Sequence, residues 1–256
     1  QKAFKNALVK EIAAQNGAFL MPILKSFALW MAATLTAQAG IVNVLSPSVG
    51  APTDGWDTSA KANLQQLSGN ENKLTFSLLA GTRWVSGPQQ VLVKGSADWG
   101  QASGEVYSKK AFGHVRWKRE LTGPWSAFVF GQVDHNEFRS LLLRDLVGTG
   151  IEARLWRTDH TEAAIATAAM GEIEWALGED GASDLTWRSS NYLVLAWRPS
   201  EQVSLGSTTF VQPLFTDLKD VRGFQQVDLK VQLSEHLAWS NTLKVELDTQ
   251  PADPEV

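Results

Sequence analysis

The densest cluster of reactive side chains is Asp134-His135-Asn136-Glu137, followed by Arg139 and Ser140. A hydrolase would use Ser140 as nucleophile, His135 as its base and a neighbouring carboxylate to orient the imidazole. The spacing works against this. Residues five apart along a strand point to opposite faces unless a turn intervenes, and the chain holds no G-x-S-x-G elbow. The same segment offers Asp134, His135 and Glu137 as a metal-binding group; the alternative is a solvated loop. His160, in Thr158-Asp-His-Thr161, reads as a turn residue. Gly148-Thr149-Gly150 lacks the third Gly, the Lys and the following helix of a phosphate loop, and reads as strand. The chain has no Cys, so thiolate nucleophiles, disulfides and Cys-based metal centres are excluded. The expectation is a protein that is not an enzyme, with no catalytic residues, no metal and no cofactor.

A second set of polar residues recurs every other position. Glu172 and Glu174 project to one face, as do Lys94 and Asp98, Glu152 and Arg154, Asp228 and Lys230, and Lys244 and Glu246. His114 and Arg116 share a polar face with Lys118, and Arg188 and Arg198 join the set. Two readings stand for these residues. They line a pore that selects ions or small solutes, or they close a lumen with salt bridges and hydrogen bonds. The mixed signs argue against strong anion or cation selectivity.

Side chains placed this way require strands, and the apolar residues agree. Leu74, Phe76, Leu78, Ala80 and Trp84 alternate with mostly polar positions, and so do Val91, Val93, Gly95, Ala97 and Trp99. Val227, Leu229, Val231 and Leu233 alternate with Asp228, Lys230 and Gln232; Leu243, Val245 and Leu247 alternate with Lys244, Glu246 and Asp248. A period of two gives each strand one apolar face. Turn signals at Ser68–Asn72, Ser86-Gly87-Pro88, Ser103-Gly104, Thr122-Gly123-Pro124, Gly178–Gly181, Pro199-Ser200 and Ser234-Glu235 divide the run into about eleven strands. Several would span 10 to 14 residues, against the 5 to 6 usual in soluble sheets. Long antiparallel strands with tight turns are the pattern of a transmembrane β-barrel, and bacterial barrels have even strand counts. The expected fold is thus an all-β, antiparallel, up-and-down barrel with about 12 strands, the last lying past Val256. Trp84, Trp99, Trp117, Trp125, Trp175, Trp187, Trp197 and Trp239 fall near strand ends, where an aromatic girdle would meet the lipid headgroups. The longer linkers near Asp134–Ser140 and Asp217–Gly223 are candidates for extracellular loops.

Composition fits this picture. The 256 residues carry a net charge of -4, and the few basic clusters lie along a strand, so nucleic acid is not an expected partner. Mean hydropathy of -0.14 is too polar for a bundle of membrane helices. Met21, Lys25, the mostly apolar run Ser26–Leu35 and Thr36-Ala37-Gln38-Ala39 read as a helical signal peptide with an A-x-A cleavage site. Residues 1–39 are then an upstream extension and signal peptide, 40–55 a flexible linker, and 56–256 the barrel. Gln1 at the start and the turn-like Pro254-Glu255-Val256 at the stop read as fragment ends. The expected location is the outer membrane of a Gram-negative-type bacterium. Outer-membrane lipid is the surrounding medium, and rim charges would meet lipopolysaccharide phosphates. The leading expectation is a structural or narrowly conducting barrel. The alternatives are a barrel-wall lipid hydrolase using Ser140 and His135, and a soluble periplasmic ligand-binding barrel.

Four stretches carry a family resemblance: Leu67-Ser-Gly-Asn-Glu71 at the first hairpin, Asn136-Glu-Phe-Arg-Ser140, Gly148-Thr-Gly-Ile-Glu152, and Asp248–Val256 with its D-x-x-P turn. In order and spacing, residues 56–256 resemble the YdiY-like outer-membrane barrels of domain of unknown function 481, some of them labelled salt-induced outer-membrane proteins. The resemblance implies a signal peptide, an outer-membrane barrel and no assigned activity. It also implies the barrel-assembly machinery as a partner, which reads an aromatic residue at the end of a final strand that this sequence does not contain.

Overall fold

Short turns cut the chain into long strands. At Ser103-Gly104 both residues have positive φ (51° and 93°), the conformation of the two-residue hairpin turn that matches strand twist. A computed structural model describes residues 41–45, 47, 49–50, 52–69, 72–137, 141–176 and 183–250. The strands are β1 (Gly55–Leu67), β2 (Lys73–Ser86), β3 (Gln89–Ala102), β4 (Glu105–Glu120), β5 (Trp125–Asn136), β6 (Leu141–Arg157), β7 (Thr161–Ala176), β8 (Thr186–Trp197), β9 (Val203–Pro213), β10 (Val221–Gln232) and β11 (Ala238–Asp248). Each pairs antiparallel with its sequence neighbours, in the order β1 to β11. The fold is therefore the expected all-β up-and-down arrangement. Among the described residues β1 and β11 are its two edges and do not pair with each other. The lengths, from 11 residues in β9 and β11 to 17 in β6, meet the 9–11 residues that a tilted strand needs to cross a bilayer.

The register sorts side chains by parity. The cross-strand row Ser126–Glu152–Ala166–Tyr192–Phe210–Phe224–Glu246 runs from β5 to β11 on one face. That face is the concave one. Glu246 and Lys244 of β11 line the same cavity as Ser96 and Asp98 of β3, so the sheet curls round a lumen. The opposite, convex face carries Val93, Val115, Val129, Val133, Val147, Ile151, Ile165, Leu195 and Val211, all exposed, with Val147 at 65%. Inside, charged side chains are buried beside aromatic ones: Glu172 is 2% exposed, Arg188 5% and Arg116 7%, with Phe128 at 2%. An outer face this apolar together with buried charges departs from the usual pattern of a water-soluble barrel.

The two ends of the sheet differ. The end where β1 begins, here called proximal, has the turns after β2, β4, β6, β8 and β10; the distal end has the others. The two longest connections, 177–185 and 214–220, are both distal. The convex-face indoles sit near both ends. Trp84, Trp117, Trp125, Trp197 and Trp239 are proximal, and Trp99, Trp175 and Trp187 distal. Trp56 packs against Trp84 in a tilted arrangement, with ring centroids 6.2 Å apart.

One compact unit spans Ala37–Pro254. Within it, residues expected to form a flexible linker line the lumen. Ile41 and Val44 are buried, and Leu45 packs against the same core. Ile41, Val42 and Asn43 border a distal cavity, while Val44, Leu45, Pro47, Val49, Gly50, Pro52 and Thr53 border a proximal one. The segment thus runs the length of the lumen before turning into β1, where Asp54 accepts a hydrogen bond from the Gly87 N–H at 3.0 Å. Burial of Ile41 and Val44 against aromatic rings is the driving force that overrides their Pro- and Gly-rich neighbours. The expected signal peptide (1–39), the turn at 178–181 and the Pro251–Val256 end of the D-x-x-P stretch lie outside the described residues.

Candidate functional site

The lumen is built in three layers. At mid-height, aromatic rings form a continuous series: Phe112, His114, Phe130, Phe128, Tyr192, Phe210 and Phe224, with successive centroids 5.6–6.3 Å apart. The series crosses from β5 to β8 over β6 and β7, which is possible only because those strands present small side chains there. Gly150 faces Phe128 and Ala168 in register, and Gly148 faces Phe130. A Cβ on Gly148 would lie 2.5 Å from the Phe130 ring, and one on Gly150 would collide with the Thr167 carbonyl and lie 2.7 Å from both Ala168 Cβ and the Phe128 ring. The G-x-G of the sequence is the seat of two phenylalanines. Ile41 caps the layer, and only about 50 Å³ of space remains there.

The proximal layer is a cavity of about 320 Å³. Its inner wall is the Arg116–Glu152–Lys118 cluster. Glu152 lies 3.7 Å from Arg116 and 3.1 Å from Lys118, and accepts the Tyr192 hydroxyl at 2.5 Å. Arg116 also donates to the Tyr192 oxygen and stacks its guanidinium 3.8 Å above Phe128. Nearer the rim, Arg154 pairs with Glu120 at 3.3 Å, and Arg157 grips Glu162 through two hydrogen bonds of 2.7 and 2.9 Å. Lys94 lines this cavity.

The distal layer is a chain of ion pairs. Asp134 accepts from Gln132 (2.8 Å) and Arg144 (3.0 Å), and Gln132 bonds His114 Nδ1 at 3.1 Å. Glu172 meets Arg222 at 2.5 Å and Arg188 Nε at 3.5 Å. Arg188 holds Asp220 through two bonds of 2.7 and 3.0 Å, and Arg222 also reaches Glu174 and Asp248, each at 3.5 Å. The network ties β7 to β10 across the lumen and fastens the β9–β10 connection. Such pairs are costly to break because a lone buried charge is left behind. Beyond them a cavity of about 300 Å³ is lined by Asp98, Lys244 and Glu246.

Of the residues read from sequence as lumenal, Lys94, Asp98, His114, Arg116, Glu152, Arg154, Glu172, Glu174, Arg188, Asp228, Lys230, Lys244 and Glu246 all lie on concave-face positions by register. Arg198 does not join them. β8 ends at Trp197, alternation stops there, and Arg198 is an exposed turn residue bound to the Asp159 carbonyl at 3.0 Å. Of the group Asp134, His135 and Glu137, only the last two approach each other, with His135 Nε2 3.6 Å from Glu137 Oε1. Asp134 points inward to Arg144, while the His135 imidazole bonds the Leu142 carbonyl at 2.5 Å and Glu137 also pairs with Lys109 at 2.6 Å. Ser140 and Arg139 lie outside the described residues. Among the described residues, no three His, Cys, Asp or Glu gather as metal ligands. Sequence reasoning missed the aromatic layer. Its signal was parity: Phe112, Phe128, Phe130, Tyr192, Phe210 and Phe224 occupy the same alternate positions as the charges.

Among curated proteins, none matches the chain. A family model does: the one described as "Protein of unknown function, DUF481" matches residues 60–256, from within β1 through β11, and the chain belongs to that family.

Proposed function

We infer that the protein is an outer-membrane β-barrel whose lumen is kept closed by its own residues 41–53, serving as a structural element of the membrane with a latent narrow pore. The observation that carries this is the inverted distribution of polarity: an exposed apolar convex face around a buried, charged and occupied lumen. Hydrocarbon suits the convex valines and isoleucines, and pairing between neighbouring strands satisfies the backbone from β2 to β10 and on the inner sides of β1 and β11. The indoles near both ends suit the headgroup zones. The longer distal connections suit the extracellular side, which puts β1 and the shorter turns on the periplasmic side. Lys109, on the convex face near the distal rim and paired with Glu137 at 2.6 Å, is the side chain that supports contact with lipopolysaccharide phosphates in this reading. No enzymatic step is assigned. The His135 imidazole is bonded to the Leu142 carbonyl, and Arg116, Glu152, Glu172, Arg188 and Arg222 are paired among themselves.

The test is single-channel recording on full-length protein purified from outer membranes, with folding checked by heat-modifiable gel mobility. Silence is expected from the intact chain, and regular current steps scaling with salt from a variant lacking residues 41–53. Steps of equal size from both would overturn the closed-lumen reading. Recovery in the soluble periplasmic fraction, without detergent, would overturn the membrane reading itself.

A further inference from the structure

The convex face is not uniformly apolar. On β8 its outward row reads Trp187, Ser189, Asn191, Leu193, Leu195, Trp197, so Asn191 sits midway between two indoles. The neighbouring strands are polar at the same height. Thr167 donates to Asn191 Oδ1 at 2.8 Å, Asn191 Nδ2 donates to Ser189 Oγ at 3.0 Å and to the Val211 carbonyl at 3.1 Å, and Gln225 Nε2 donates to Ser207 Oγ at 2.8 Å. Thr209 bonds Gln225. These residues form one patch over the middle of β7, β8, β9 and β10. On β3 and β5 the corresponding outward rows hold Val91, Val93, Gly95 and Ala97, and Ala127, Val129, Gly131 and Val133. A concavity of about 480 Å³ adjoins the patch, between Ile151, Ile165, Leu193 and Val211.

Even hydrogen-bonded to one another, polar side chains at mid-height of a lipid-facing wall are costly, because acyl chains satisfy none of the donor and acceptor capacity left over. We propose that this patch is the interface with a second copy of the same chain. The chemistry commits to that occupant. Every group in the patch is a hydroxyl or a carboxamide, both donor and acceptor, so the patch is its own complement under a two-fold axis. It carries no charge, so two copies meet without repulsion and a charged partner finds no counter-ion. Ser189 and Ala169 are small enough to let two walls approach closely. The inference rests on the membrane-spanning reading above.

The chain has no cysteine, so single cysteines can be introduced one at a time. In proteoliposomes under mild oxidation, Ser189→Cys is expected to give a disulfide-linked dimer, and Val115→Cys on the opposite wall to stay monomeric. Replacing Asn191 and Gln225 by Leu should weaken dimerisation, read by fluorescence transfer on dilution, at least tenfold while heat-modifiable folding is kept. Equal cross-linking at both positions, a monomer at every density, or cross-linking of Ser189→Cys only to a different protein would overturn the proposal. Protein that stays out of the membrane fraction would instead defeat the membrane reading, a separate and distinguishable failure.

Discussion

At Gly150 the inner wall has no room for one more carbon. Gly150→Ala drives a methyl into the Thr167 carbonyl and the Phe128 ring, so the aromatic series must spread. Overpacking of this kind costs about 1–3 kcal/mol, and thermal unfolding in detergent micelles should show a lowered midpoint. Gly131, whose added carbon would find its nearest neighbour at 3.8 Å, is the matched control and should tolerate Ala. The ion pairs respond differently. Arg222→Met leaves Glu172 with a weaker partner in a buried setting, a loss on the order of 3–5 kcal/mol. Adding Glu172→Gln should return part of it, and a double-mutant cycle on unfolding midpoints measures the share. A double variant no more stable than Arg222→Met would show that the pair is not what Arg222 contributes.

Strand alternation was legible in β2, β3, β10 and β11, and so were most turns. Gly87-Pro88, Ser103-Gly104 and Thr122-Gly123-Pro124 all sit between strands. What was not legible is how parity rows of different strands line up. Alternation says which face a side chain takes; only the register brings Phe128 to Gly150 and Ala168. Residues 41–53 were the other blind spot. Pro47, Gly50 and Pro52 carry the composition of a loop, and a segment held by a lumen needs no periodicity of its own. The placement can be tested covalently. Pro47 Cβ lies 3.2 Å from where a Gly206 Cβ would be, close to the span of a disulfide, about 3.8 Å. Pro47→Cys with Gly206→Cys should therefore oxidise within the folded protein, read as loss of thiol labelling. Free thiols under oxidant would mean that the segment does not dwell there.

For the molecule as a whole, the polarity of the two faces decides the solvent. Val129→Arg on the convex face, at mid-strand, should cost about 2–4 kcal/mol of stability in lipid and lower the fraction inserted into vesicles. In a water-soluble barrel the same change would be neutral, so unchanged insertion counts against the membrane reading. Arg198 marks where sequence reading of the lumen stops. Parity assigns faces only inside a strand, and the Trp197 boundary came from the pairing.

The ion pairs between β7 and β10 have a mechanical consequence. Glu172–Arg222 skips β8 and β9, and Arg188–Asp220 pins the connection beside them, so β7 to β10 are braced both along the ladder and across it. Among the described residues β1 has no such brace: all its residues are exposed, and one neighbour holds it. Stiffness therefore falls from one side of the wall to the other. Amide protons should exchange slowest in β7 and β8 and fastest in β1. A force pulling on this chain would peel it from the β1 side, leaving the β7–β10 wall as the last part to yield.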